Sequence, residues 1–476
     1  MESRALAGQT LFAPTPEEKL RCLQSMADVY VFNPFAEGFI AQGKAFAPGK
    51  YQTQLANDLT NLPQFLCRQN DVVLLPRLPS VEFVSGIKQA GFALPEFVEF
   101  GGIPALAQRK LGALRPWAWG PDSAELLAPL FPSVTGEERT ADQRFHESIA
   151  SLYSKAWSAQ FLRNILAEWR RDDGANSSNT TDRSPSTPAA TDAWLCTEEE
   201  VGVTATTLEA ALEAIATIRR RGHHKIVIKQ ALGVAGQNAI RLWEPDLLDS
   251  HRRWLAKAVQ GGRQVVIEPW LERELDFSVQ FEMGPQGLKL CGYTGLINDL
   301  KGQFLGNWAE PHHHQRIPTR VLSLFREPAG IADRLDLLYR HILARLEAEL
   351  QHAGHVGPVG LDALVYRTPQ GACRIKPVVE MNPRYTMGRL TVELMKQTCP
   401  GSCGLFRLVS RAQVQREGFT DFAGLARSLS ERFPLRLEPV SKIREGALCL
   451  NDPSQAQACL AVFRVGRTLD ALLNPS

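Results

Sequence analysis

Short apolar runs punctuated by proline and glycine organise the first third of the chain. VYVFNP (29–34) and DVVLLP (71–76) each read as a buried parallel strand ended by proline. Helical patterning follows, as in SVEFVSGIKQAGF (80–92), and then the short run FVEF (97–100). Strand alternating with helix predicts an open α/β sheet over roughly residues 20–140. LRPWAWGPDS (114–123) reads as a connector whose two tryptophans pack.

Beyond residue 144 the period changes. Helices are predicted at 145–170 and 207–221, and the strand IVIKQ (226–230) leads into a glycine-containing turn. QVVIEPWL (264–271), LDFSVQFEM (275–283) and LKLCGYTG (288–295) follow as strands of an antiparallel meander, then a long helix at 334–353. VGLDALVYR (359–367) and ACRIKPVVEMNPR (372–384) are two strands joined by TPQG, and MGRLTVELMKQ (387–397) is a helix. The end of the chain offers strands near 446–452 and 458–466 and a last short helix, a small capping element without chemistry of its own.

Composition narrows the class. The chain has 476 residues, 44% hydrophobic and 22% charged, enough for about three domains with a sizeable core. Lys plus Arg number 53 against 51 Asp plus Glu, which argues against a nucleic-acid or anionic-membrane partner. No apolar run reaches a membrane span, and MESRALAGQTLFAPTPEEKLRC lacks the pattern of a signal peptide, so a cytoplasmic enzyme is expected. The 9 scattered cysteines read as reduced thiols, with Cys399 and Cys403 as helix-end residues. Residues 171–192 contain no large apolar side chain and read as a flexible insertion; Asn176 and Asn179 there carry no glycosylation argument.

Four spaced features carry chemistry. Lys229 ends a β-branched strand before a loop holding Gly233 and Gly236, a place where a cation and backbone N–H groups reach a polyphosphate. The loop is no G-x-x-x-x-G-K-[ST], and a strand-edge lysine is also an ordinary solvated charge. Glu268-Pro269-Trp270-Leu271 ends a strand with an acid and an apolar pair suited to an adenine edge, and Asp276 follows within reach of ribose hydroxyls. Asp362 and Glu380 fall on neighbouring strands with Asn382 two residues on, a hard-oxygen set suited to Mg²⁺. The other reading pairs these acids with Lys376, Arg374 or Arg384. Arg384 itself offers a fixed charge to a transferring phosphoryl group.

In this order, IVIKQALGVAGQ (226–237), VVIEPWLERELDFSV (265–279) and GLDALVYR…RIKPVVEMNPRYTMG (360–388) resemble the ATP-grasp superfamily. The resemblance covers roughly residues 145–400 and implies a pre-ATP-grasp α/β domain at 1–144 and a two-subdomain grasp fold at 145–400, divided near 269. A C-terminal extension at 401–476 follows. It nominates Lys155, in YSKAWSAQFL (153–162), beside Lys229 as phosphate-binding lysines. Glu268 and the Trp270–Leu271 backbone would hold adenine and Asp276 ribose. Asp362, Glu380 and Asn382 would take Mg²⁺ or Mn²⁺, and Arg384 the transferred phosphate or acyl phosphate. The glycine loop is poorer than the family's, and the proline after Glu268 forces the hinge to use later N–H groups.

What the resemblance implies is an ATP-dependent ligase joining a small carboxylate to an amine, or less readily to a thiol or hydroxyl. A grasp-type kinase and a non-catalytic ATP-binding regulator are the alternatives. His312, His313 and His314 form the sole histidine cluster and read as a solvated loop, since consecutive histidines point in different directions. Arg389 and Tyr385, just past the E-x-N-P-R element, are open to either substrate contact or packing.

Overall fold

A computed structural model describes residues 26–135, 140–176, 193–233, 239–243, 246–299, 302–325, 330–439 and 441–474. The first sheet is parallel throughout: β1 (Ala27–Val31), β2 (Val72–Leu75), β3 (Glu96–Glu99) and β4 (Leu111–Pro116), in the order β3-β2-β1-β4. β4 corrects the sequence reading, which took its last residues as the start of a connector. Gly112, Arg115 and Pro116 dilute its apolar pattern, and its pairing with β1 makes it a strand. Trp117 and Trp119 are buried directly after it, as expected of packing residues. Helices α1 (Ala36–Gln42) and α2 (Val81–Gln89) belong to this layer. Ser80 caps α2 by accepting from the Phe83 N–H.

The helix expected over 145–170 is two. A short one spans Glu147–Leu152, and α3 (Lys155–Asn176) starts after a break at Tyr153 and Ser154. The Tyr153 hydroxyl donates to the carbonyls of Trp119 (2.8 Å) and Pro383 (3.2 Å), so this break fixes where α3 begins relative to both neighbours. α3 also carries the first residues of the 171–192 stretch, of which 177–192 lie outside the described residues.

A second, four-stranded sheet is antiparallel. It holds β5 (Val203–Ala205), β6 (Ile226–Gln230), β7 (Ala239–Leu242) and β8 (Val265–Pro269) in the order β5-β8-β6-β7. α4 (Leu208–Arg220) covers it with Ala211, Ala214, Ile215 and Ile218, an i, i+3, i+4, i+7 stripe. Thr207 caps its first turn, and Arg219 and Arg220 sit in its last, where cations favour the dipole.

The third sheet has nine strands, all antiparallel, in the order β13-β12-β9-β10-β11-β14-β17-β16-β15. Its members are β9 (Glu272–Gly284), β10 (Gly287–Asn298), β11 (Phe304–Ala309), β12 (Gly357–Arg367), β13 (Cys373–Asn382), β14 (Cys403–Ser410), β15 (Arg436–Leu437), β16 (Ile443–Cys449) and β17 (Cys459–Gly466). α5 (Ile331–His352) buries Leu335, Leu338, Ile342 and Leu346 against it, within one apolar cluster that also holds Phe277, Phe281 and Val365. α6 (Met387–Met395) lies close over β9 and β10, where a Cβ on Gly388 would fall 2.6 Å from the Gln280 amide and 2.8 Å from the Thr294 hydroxyl. The C-terminal stretch read as a cap therefore continues the large sheet beyond β11. Cys403 opens β14 and does not lie at a helix end.

The first domain packs on this sheet. Phe32, Leu59, Leu62 and Phe65 share a buried cluster with Leu390 and Leu394 of α6 and with Phe406 and Phe463. The Asp58 carboxylate accepts from the N–H groups of Ala458 (2.6 Å) and Cys459 (2.9 Å), which ties that domain to β17. The expected class, a leading open α/β domain followed by two α+β subdomains, is the architecture observed. No helix among the described residues is long and apolar enough to cross a membrane.

Candidate functional site

The predicted acids meet where β12 and β13 pair. Asp362 stands opposite Glu380 and Gly360 opposite Asn382, so both carboxylates project from one face. The register slips between Asp362 and Leu364: Leu364 pairs with Lys376, so β13 holds extra residues between Lys376 and Glu380. The Asn382 amide donates to Asp362 Oδ2 at 3.2 Å. Burial, then the neighbouring Glu380 charge, pushes the Asp362 carboxyl up to about 6. Burial raises Glu380 too, but Lys155 and Lys229 outweigh it and hold that carboxyl below its ordinary value.

Lys155, the first residue of α3, places its Nζ 2.9 Å from Glu380 Oε1 and 3.4 Å from the Gly233 carbonyl. Its backbone N–H donates to the Ala231 carbonyl at 2.8 Å, so the helix start and the β6 loop are held together. Gly233 adopts a φ of 145°, and Gly236 lies outside the described residues. The acids thus find a partner that the sequence reading did not pair with them. Lys376, Arg374 and Arg384 each hold a different carboxylate.

Glu268 sits between two lysines. In the β6–β8 ladder Val227 faces Glu268 and Lys229 faces Val266, which leaves Lys229 and Glu268 as diagonal neighbours on one face. Lys229 Nζ bonds Glu268 Oε1, and Lys376 Nζ, from the large sheet, bonds Oε2 at 2.8 Å. Burial raises this carboxyl, yet the two ammonium groups hold it far below the usual carboxylate range. Lys376 also donates to the Glu200 carbonyl at 3.1 Å. A cleft between the second and third sheets is lined by Lys155, Lys229, Glu268, Lys376, Val266 and Val378.

Trp270 and Leu271 form the step from β8 into β9. The Trp270 N–H donates to the Lys225 carbonyl at 2.8 Å, so of the two hinge residues it has no N–H to offer a ligand. Its ring lies between the guanidinium groups of Arg241 and Arg273, 5.2 and 5.0 Å from its centroid. Asp276, on β9, accepts from Asn298 at 2.7 Å and pairs with Arg273 at 3.3 Å.

Arg384 points toward the first domain. Its Nε and Nη2 lie 2.9 and 2.8 Å from Glu37 Oε1 on α1, and Nη2 also donates to Asn382 Oδ1 at 2.8 Å. Burial opposes its charge, but Glu37 more than offsets this and holds the guanidinium above its ordinary value. Sequence reasoning missed Glu37, which lies 347 positions away, and gave Lys376 no role in the cleft. A lysine inside the buried run IKPVV was the available signal for the second.

The remaining features fall outside the cleft. His313 Nδ1 lies 3.2 Å from the Glu310 carbonyl, and His312 and His314 are exposed. Arg389 bonds Glu282 (2.6 Å) and Glu393 (3.0 Å). Among the described residues no three His, Cys, Asp or Glu side chains gather to hold a metal ion. The Asp362–Glu380–Asn382 set contains two carboxylates and an amide. Two partly buried carboxylates side by side, one raised by desolvation and then by the charge of the other, fit a divalent cation with hard-oxygen preferences.

No family model matches the chain, and no curated protein matches it. Similar solved structures include N5-carboxyaminoimidazole synthetase from Staphylococcus aureus, at 9% identity over 94% of this chain and 95% of that one, with a TM-score of 0.47. Biotin carboxylase from Campylobacter jejuni is similar at 10% identity over 94% and 88%, TM-score 0.47. L-amino acid ligase from Bacillus licheniformis is similar at 10% identity over 94% and 95%, TM-score 0.43. At such identities and scores, the residues of this chain carry the functional argument.

Proposed function

We propose that the protein is an ATP-dependent ligase that activates a carboxylate as an acyl phosphate for attack by an amine. The observation that supports this reading is the cross-strand acid pair Asp362 and Glu380 with the charges of Lys155, Lys229 and Arg384 gathered around Glu380. Lys155 and Lys229 bind and orient the phosphates as point charges. Leu271 supplies the hinge donor to adenine, since the Trp270 N–H is engaged, and Asp276 reaches the ribose. Asp362, Glu380 and Asn382 would hold Mg²⁺ or Mn²⁺, which when bound neutralises phosphate charge.

A carboxylate is a poor electrophile, and phosphorylation gives it a leaving group. A carboxylate oxygen attacks the γ-phosphorus and ADP departs. The amine nitrogen then attacks the acyl carbon, phosphate leaves and the nitrogen loses a proton. Arg384 steadies charge on the transferring phosphoryl group, and the enzyme's task is mainly position and electrostatics. No side-chain nucleophile is required.

The test is ADP release by the purified protein, screened over small carboxylates with and without an amine. Hydroxamate formed with hydroxylamine reports the acyl phosphate, whereas a stable phosphorylated product reports a kinase. Glu380→Ala should abolish ATP consumption in a protein that still melts cooperatively. Turnover that survives this change at ordinary Mg²⁺ concentration puts the site elsewhere.

A further inference from the structure

A second cavity lies on the other side of Arg384, between the first domain and the large sheet. It is bounded by the end of β4 and the residues after it, by the turn ahead of β12, and by the loop Pro383–Tyr385. Arg115, Arg144, Arg384 and His355 line it together with Trp117 and Trp119, and no carboxylate is among its described lining residues. Arg115 and Arg384 are each backed by an acid outside the cavity, Asp28 at 2.7 Å and Glu37 at 2.8 Å, which holds both guanidinium groups in place. A pocket walled by fixed cations attracts an anion.

His355 adds chemical detail. It is 4% exposed, and its Nε2 has no hydrogen-bond partner. A buried polar atom left unpaired in a native fold calls for an explanation. The Pro358 carbonyl lies near the ring and favours its protonated form. A neutral imidazole carries one N–H and one acceptor nitrogen, so Nε2 is one or the other. Burial, and then the Arg144 charge, depresses the imidazole to about 4 and keeps it neutral, although the Pro358 bond pulls the other way.

A ligand group able both to donate and to accept satisfies Nε2 in either tautomer, and it must also tolerate the arginines. A second carboxylate cannot donate, and an ammonium would be repelled by the arginines in the same lining. A hydroxyl meets both conditions. The cavity measures about 70 Å³. At about 10–15 Å³ per water, that is room for roughly five waters, enough for a small acid.

We propose that this cavity seats the acid substrate of the ligase and selects a small carboxylate bearing a hydroxyl, with the carboxylate toward Arg384 and Arg115 and the hydroxyl hydrogen-bonded to His355 Nε2. The assignment rests on the ligase reading, and it makes His355 a specificity-determining residue.

The probes are L-lactate, propionate, which differs by that hydroxyl alone, and L-alanine, which replaces it with an ammonium. Calorimetric titration of the full chain, alone and with a non-hydrolysable ATP analogue, should give lactate at least about tenfold tighter than propionate, with alanine weaker than lactate. His355→Leu should lower lactate to the propionate level and leave propionate where it was. His355→Gln, which keeps an acceptor oxygen, should retain part of the preference. Equal affinity for lactate and propionate, no binding of either at millimolar concentration, or a preference that survives His355→Leu each overturns the assignment. The wild-type comparison of the two acids stands even where a variant fails to fold. ATP binding is titrated on the same samples. Its absence from the wild type sinks the ligase reading, whereas ATP binding without a lactate preference sinks the cavity assignment alone.

Discussion

Replacing Glu268 with glutamine keeps the shape of the side chain and removes the charge that two lysines share. Lys376 has a side chain only 5% exposed, whereas Lys229, at 20%, has more room to turn outward. The main penalty is thus one buried ammonium left without its counter-charge, about 3–4 kcal/mol on the scale for breaking a buried pair from one side. At roughly 2–4 °C per kcal/mol for a cooperative unit of 150–250 residues, Tm falls by roughly 6–16 °C at pH 7. The pH dependence has a definite sign. Glu268 has its carboxyl depressed in the fold, so its contribution is fully present above the unfolded value of about 4.3 and is lost as pH falls toward the folded value. The gap between wild type and Glu268→Gln therefore holds from pH 7 to about 5 and narrows below about 4. Tryptophan-fluorescence melts of both proteins at several pH values measure it. Lys376→Met closes the cycle: in the Glu268→Gln background it removes the orphaned charge, so it should be at least about 1 kcal/mol less harmful than in wild type. A Tm within 2 °C of wild type together with additive single changes would refute the shared-carboxylate arrangement.

Three further outcomes follow from the same geometry. Arg384→Lys keeps a positive charge but loses the planar fork, and kcat for ADP release should fall about 10²-fold or more with KM for ATP little changed, a split read from steady-state kinetics. Glu37→Gln leaves Arg384 without its ion pair across the domain interface; as a positioning residue it should lower kcat about tenfold, and Glu37→Asp should recover part of that. His355 is depressed from 6.5 to about 4, and for a histidine this means the unfolded chain binds the extra proton between those values. Its contribution, up to about 3 kcal/mol, is present above pH 6.5 and lost toward pH 4, so wild type should lose more Tm over that interval than His355→Gln.

The strands that build the cleft were legible because each is a dense β-branched run with an alternating polar residue. IVIKQ is β6 to the residue, and the alternation in GLDALVYR and VVEMN is enough to put Asp362, Glu380 and Asn382 on one face. β4 was not legible, since glycine, arginine and proline mask it and only β1 beside it reveals a strand. The break at Tyr153 was equally hidden, because the carbonyls that hold its hydroxyl lie 34 and 230 positions away. The same is true of charge. Which acid a lysine meets depends on packing between sheets, and Lys376 meets Glu268 across 108 positions with no local spacing to announce it. The slip in β13 between Lys376 and Glu380 is a further feature that alternation alone cannot foresee, since counting by twos assumes an unbroken ladder.

The near balance of 53 basic and 51 acidic residues recurs at the cleft in a more specific form. Lys155 is paired with Glu380, Lys229 and Lys376 with Glu268, and Arg384 with Glu37, each link joining separate segments of the chain. On the proposed ligase reading, a polyphosphate entering this site would exchange partners with these ion pairs. The exchange is tolerable only if no acid is stranded, because an unpaired buried carboxylate costs several kcal/mol. Glu268 meets that condition: when Lys229 turns to a phosphate, Lys376 still holds its other oxygen. Glu380 would meet it through a cation held with Asp362 and Asn382, which would take up its charge as Lys155 leaves. Two lysines on Glu268 and two carboxylates side by side would each be redundant in a purely structural cluster. In the proposed site, which would release Lys155 and Lys229 together, they would keep Glu268 and Glu380 compensated.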